Sequence, residues 1–204
     1  MIPYQFLALP IIAFPLILIT GIVLIPVVSN YADHDLAEKA AQQTKRWFWG
    51  HLISGIAFGI GLLALFCISL FLLEQQIHLW PTLSLSCAAI GAALLAFGMG
   101  ADGIGPLAIS NEGYPAQIFF DGSRQWIMGS FIAGSILFGT GQLLLIIGIN
   151  QQALLSTSTS IIILLAAIVF TVSAAIPSGW GLYILGLSTC IIYLPIGLAF
   201  WQMV

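Results

Sequence analysis

Apolar residues in this chain do not alternate with polar ones; they run in long unbroken blocks. A helix needs about 20 mostly apolar residues to cross the hydrocarbon core of a bilayer. On that measure the pattern predicts six spans, roughly 4–28, 47–73, 79–101, 126–149, 156–176 and 180–201. Two of the breaks are slight: "NQQALLSTSTS" separates spans four and five by polarity, and "IPSG" separates five and six by turn chemistry. The six tryptophans (Trp47, Trp49, Trp80, Trp126, Trp180 and Trp201) all fall at predicted span ends, where an indole prefers the headgroup level.

Between the blocks, "DLAEKAAQQTKR" reads as a helix. Asp35 stands at an N-cap with Glu38 three residues on, the capping-box spacing. Nothing breaks it before Gly50, so it is expected to run straight into span two. The stretch from Gly98 to Trp126 mixes apolar pieces with turn residues, and predicts a long, partly interfacial loop between spans three and four. Asp121 or Ser123 would cap span four there, with Arg124 and Trp126 anchoring its start. Pro10, Pro15 and Pro26 in span one predict either a curved, tightly packed helix or a broken one lining a cavity.

Small residues at close-packing spacing, such as Gly55 with Gly59, Ala92 with Ala96, and Ser135 with Gly139, point to a helical bundle. "FGIGLL" at 58–63 echoes "FGTGQL" at 138–143, which suggests three helical hairpins.

Composition gives the solvent. Of 204 residues, 60% are apolar and 5% charged, with a mean hydropathy of +1.11. A soluble domain carries about a quarter charged residues. The chain therefore reads as a single all-α integral membrane domain over residues 1–204. Its first span lacks the preceding basic residue and the short core of a signal peptide, so it reads as retained.

Lys39, Lys45 and Arg46 lie in the first loop and Arg124 in the third. The positive-inside rule puts those loops in the cytoplasm and both termini opposite, in a prokaryotic-type cytoplasmic or energy-converting membrane. No basic patch exists, which argues against nucleic acid as a partner. Cys67, Cys87 and Cys190 sit in apolar runs without metal or disulfide spacing.

Candidate chemistry is sparse. Ionisable groups inside a membrane are the usual pointers to function, and only His51 lies within a predicted span, with Asp102 just past the end of span three. Span two begins on the side where span three ends, so the two share a depth and can form an Asp–His pair. Glu112, Asp121 and Arg124 complete the candidate polar cluster of that side. His34 and Glu38, spaced i,i+4, supply too few ligands for a structural metal.

Gln142, near mid-span beside Thr140, is a candidate intramembrane polar contact. The tail lacks a Lys for retinal, no paired His suits haem, and no His after His78 could serve an intramembrane serine protease. With no nucleophile–base pair or metal set in view, enzymatic chemistry ranks last. The sequence leads to an accessory membrane subunit that packs against other membrane proteins or pigments, or supports their assembly. The alternative is a carrier or channel for a small neutral or apolar solute. Neither reading names a cofactor.

Overall fold

A computed structural model describes residues 3–173, 176 and 178–203, with the side chains of Ser123 and Arg124 outside the described set. The described residues form helices α1 (Tyr4–Leu24), α2 (His34–Ala41), α3 (Thr44–Glu74), α4 (Leu79–Asn111), α5 (Gln117–Gln151), α6 (Thr157–Ser173) and α7 (Gly179–Gln202), and no strand. Lipid offers the backbone no hydrogen bonds, so each apolar block satisfies its own N–H and C=O groups as helix.

Five helices are long and apolar enough to cross a membrane: α1, α3, α4, α7, and α5 from Gln125 onward. The sixth apolar helix, α6, has 17 residues. At 1.5 Å per residue it spans about 26 Å, against a hydrocarbon thickness of about 30 Å. The expected continuation toward Ile176 runs through positions 174 and 175, outside the described residues.

The long helices pack in chain order around a closed ring. α1 lies on α3, α3 on α4, α4 on α5, α5 on α6 and α6 on α7, and α7 returns to α1. α2 lies across one end, mainly against α5. The outer faces are apolar, with Phe6, Ile56, Ile90, Phe97, Ile136 and Leu165 among the exposed side chains. A belt of that extent on so uncharged a chain is a lipid-facing surface.

Glycines set the closest approaches. A Cβ on Gly21 would lie 3.0 Å from the Gly50 carbonyl oxygen, and one on Gly50 the same distance from that of Gly21. Gly91 and Gly134 repeat the arrangement between α4 and α5, at 2.8 and 3.1 Å. The "GIAFG" pair contributes less than its spacing suggests: nothing lies within 4 Å of a Cβ on Gly59, and Gly55 has only ordinary contacts. Gly139 is used, pressed against Thr171 of α6.

Six expectations need correction. The first-loop helix stops at Ala41 and α3 starts afresh at Thr44. Its N-cap is Asp33, whose side chain accepts from the Leu36 N–H, so Asp35 sits inside the first turn. The long third loop is mostly helix: α4 runs on to Asn111 and α5 starts at Gln117, which leaves only residues 112–116 between them. Asp121 is therefore inside α5 and caps nothing, while the Ser123 and Arg124 side chains lie outside the described residues.

α1 is one continuous helix through Pro10 and Pro15, so the broken-helix reading fails. Its last carbonyls are held by Arg46, which donates to Leu24 O at 3.2 Å and Val23 O at 3.5 Å. Finally, Trp47 is no interface residue, because its side chain is fully buried.

Candidate functional site

The end of the ring under α2 encloses a cavity of about 90 Å³. One water needs roughly 10–15 Å³, so there is room for several, or for part of an organic molecule. Most of the wall is apolar and comes from α4, α5 and α7, including Leu95, Met99, Phe131 and Leu185. Polar groups enter at a few points: His51 of α3, Asp102 of α4, Ser135 of α5, Ser173 of α6, Ser178 before α7, and Tyr31 from the α1–α2 link.

Pro106 explains how the His51–Asp102 pair is built. A proline inside a helix has no N–H, so the carbonyl four residues earlier loses its donor. That carbonyl belongs to Asp102, and the Trp47 indole N–H takes the vacant place at 2.7 Å. The bond ties α3 to α4 at the pair's own level. One turn along α3, His51 Nδ1 lies 2.7 Å from Trp47 O, while Nε2 lies 3.2 Å from Asp102 Oδ2. The Trp47 and His51 rings stack with centroids 4.5 Å apart. Gly103 makes the approach possible, since a Cβ there would stand 2.7 Å from the His51 Cβ.

Donor and acceptor roles constrain the chemistry. The Trp47 carbonyl can only accept, so Nδ1 carries a hydrogen. Nε2 faces Asp102 Oδ2, and the pair forms a buried polar group in the cavity wall. His51 is 1% exposed and Asp102 9%, and the cavity reaches both. Burial raises the pKa of the nearby Tyr31 phenol above its ordinary value, and the Asp102 charge adds to the effect.

The other predicted residues are distributed differently. Asp121 pairs with His34 Nδ1, linking α5 to α2 above the cavity. Beneath that link, Phe120 and Ala116 pack with Val28, Ala37 and Trp47 in a small apolar cluster that roofs the site. Glu112 stands exposed at the C-cap of α4, apart from the pair. Among the described residues no group of three or more His, Cys, Asp or Glu comes together.

Gln142 lies deeper in the ring, 1% exposed, in a separate chamber of about 10 Å³. Thr140 is not its partner: the hydroxyl donates to Ile136 O in its own helix, at 2.7 Å. Tyr193 of α7 shares the chamber. The two groups are close enough to interact, yet neither amide atom of Gln142 nor the Tyr193 hydroxyl has a formed hydrogen bond.

The residues missed from sequence are Trp47, Tyr31, Ser135 as a polar group, and Tyr193. A signal existed for Trp47 alone, in the carbonyl that Pro106 leaves free. Comparison with protein-family models, curated proteins and solved structures finds no match for this chain.

Proposed function

We propose that this chain is a membrane carrier for a small, predominantly apolar solute with one hydrogen-bonding group. In this reading all six long helices cross the bilayer as a single domain over residues 1–204. The 17 residues of α6 stand at the short end of the roughly 17–25 that span a membrane. The α2 end, where Lys39, Lys45 and Arg46 gather, faces the cytoplasm by the positive-inside rule.

One observation carries the reading. An otherwise apolar cavity inside the ring presents the buried His51–Asp102 pair, together with the Ser135 hydroxyl, which is buried and has no hydrogen-bond partner. Unsatisfied buried hydroxyls are costly, and apolar pockets with a few converging polar groups are the usual form of a small-molecule site. A solute hydroxyl or amine bound at Ser135 would satisfy that hydroxyl, and its apolar body would fill the remaining space. The accessory-subunit expectation, which rests on spans almost free of ionisable groups and on small-residue faces, is the alternative.

The test is thermal stabilisation of the purified protein by small neutral amphiphiles, with 1-octanol as the first probe and mass spectrometry of co-purifying molecules alongside. Stabilisation that disappears in Ser135→Leu and Asp102→Leu supports the carrier. Absence of both a stabilising amphiphile and a co-purifying small molecule overturns it. A stoichiometric protein partner in mild detergent, with the cavity empty, would return the case to the accessory subunit.

A further inference from the structure

Two aromatic clusters divide the interior of the ring. Midway, Phe14 of α1, Phe58 of α3, Phe138 of α5 and Tyr193 of α7 meet. Phe14 lies 4.9 Å from Tyr193, 5.9 Å from Phe138 and 6.4 Å from Phe58, and Phe58 lies 6.0 Å from Phe138. Toward the far end, Tyr4, Phe71 and Phe200 form a second cluster, with centroids 5.0 to 6.4 Å apart. Along α3 the levels of Phe58 and Phe71 differ by about 20 Å. The Gln142 chamber lies between these levels, with Leu65 and Ile68 of α3 in its wall.

The polar groups without partners follow the same axis. Ser135 and Gln142 are seven residues apart on α5, two helical turns, so they stand one above the other on one face. Ser135 opens to the cavity, Gln142 to the chamber, and Phe138 lies between them on that face. The chamber holds three unsatisfied polar atoms, Oε1 and Nε2 of Gln142 and the Tyr193 hydroxyl, in about 10 Å³. An amide left so in a helix bundle normally finds a partner across the interface. Here it has a space of about one water.

We infer that the Gln142–Tyr193 chamber is a second binding station, for a water-sized hydroxyl or carbonyl group. The axis from Ser135 to Gln142 is the carrier's path, and the Phe14–Phe58–Phe138 cluster is its closed gate. This inference rests on the carrier reading. The sequence echo fits it: the first residues of "FGIGLL" and "FGTGQL" are Phe58 and Phe138, two of the three gate rings.

Cysteine accessibility tests the path in proteoliposomes, with 2-aminoethyl methanethiosulfonate as the probe and the native Cys67, Cys87 and Cys190 replaced by Ala. Ser135→Cys reports the cavity and Gln142→Cys the chamber, with Leu145→Cys in the same wall if Gln142→Cys does not fold. Ile147→Cys, on the lipid face, gives the background. Reaction at Gln142→Cys at least tenfold above Ile147→Cys is expected, rising at least threefold further when Phe138→Ala removes a gate ring. Reactive Ser135→Cys beside a chamber cysteine at background, with or without Phe138→Ala, sinks the path and spares the carrier. Inert cysteines at both levels sink both.

Discussion

Gly91→Ala tests whether the ring depends on its closest helix crossing. A Cβ at Gly91 would lie 2.4 Å from Phe138 N, 2.8 Å from Phe138 Cα and 2.8 Å from Gly134 O. Ordinary contact begins at 3.4 Å, so the overlap at Phe138 N is about 1 Å, deep in the repulsive range. All three atoms are backbone, so no side chain can turn aside and α5 has to retreat as a body. Overpacking of this kind costs about 1–3 kcal/mol. Gly59→Ala is the matched control. It adds the same methyl where nothing lies within 4 Å, and Ala is favoured over Gly in a helix by up to about 1 kcal/mol. Melting in one detergent, followed by tryptophan fluorescence, compares the two. At roughly 2–4 °C per kcal/mol for a chain of this size, Gly91→Ala is expected to melt several degrees early and Gly59→Ala at or above wild type. A Gly91→Ala protein that melts with Gly59→Ala would refute the assignment of the crossing.

Three further outcomes follow. Ser84→Ala removes a hydroxyl that donates from α4 to Gly141 O at 2.8 Å, and the loss expected by the same melt is about 0.6 kcal/mol. Asp102→Asn is expected to hold the fold, because its amide can donate to His51 Nε2 while Nδ1 keeps Trp47 O. Asp102→Leu leaves that nitrogen unpaired at a cost of about 1–3 kcal/mol, and equal melting of the two variants would refute the pair. Tyr31 has its phenol pKa raised from 10.0 by burial and the Asp102 charge. The stability held by the neutral phenol is whole below pH 10, because neither state has ionised. It falls as pH rises above 10, where the unfolded phenol ionises first. Melting between pH 9 and about 12 is therefore expected to decline less steeply in Tyr31→Phe than in wild type, and parallel declines would count against this role of the partly buried phenol.

The sequence made the helices legible because lipid removes the ambiguity of short apolar runs: a block of this length has no other way to bond its backbone. It also made the His51–Asp102 pair legible, since two groups at one depth on adjacent helices have few places to go. The stretch after Gly98 reads from sequence as a loop because it mixes apolar pieces with turn residues. Gly103 and Gly105 are instead spaces for neighbours, His51 in one case and the ring of Phe119 in the other. α4 runs straight through both. Trp47 was misread because its position near a helix end resembles a headgroup anchor, and only the α3–α4 contact reveals an inward indole. The partner of Gln142 could not be read at all, since Tyr193 reaches it from the far side of the ring.

Pro106 and Trp47 form a single trait written in two places 59 positions apart. The dependence runs one way: with Pro106 in place the Asp102 carbonyl relies on the indole, whereas without it the carbonyl, with two lone pairs, still accepts from Trp47. Trp47 should therefore be exchanged only after Pro106, or through an intermediate that supplies another donor. Among chains of this kind, histories at these two positions would be linked even where the rest of α3 and α4 drifts freely.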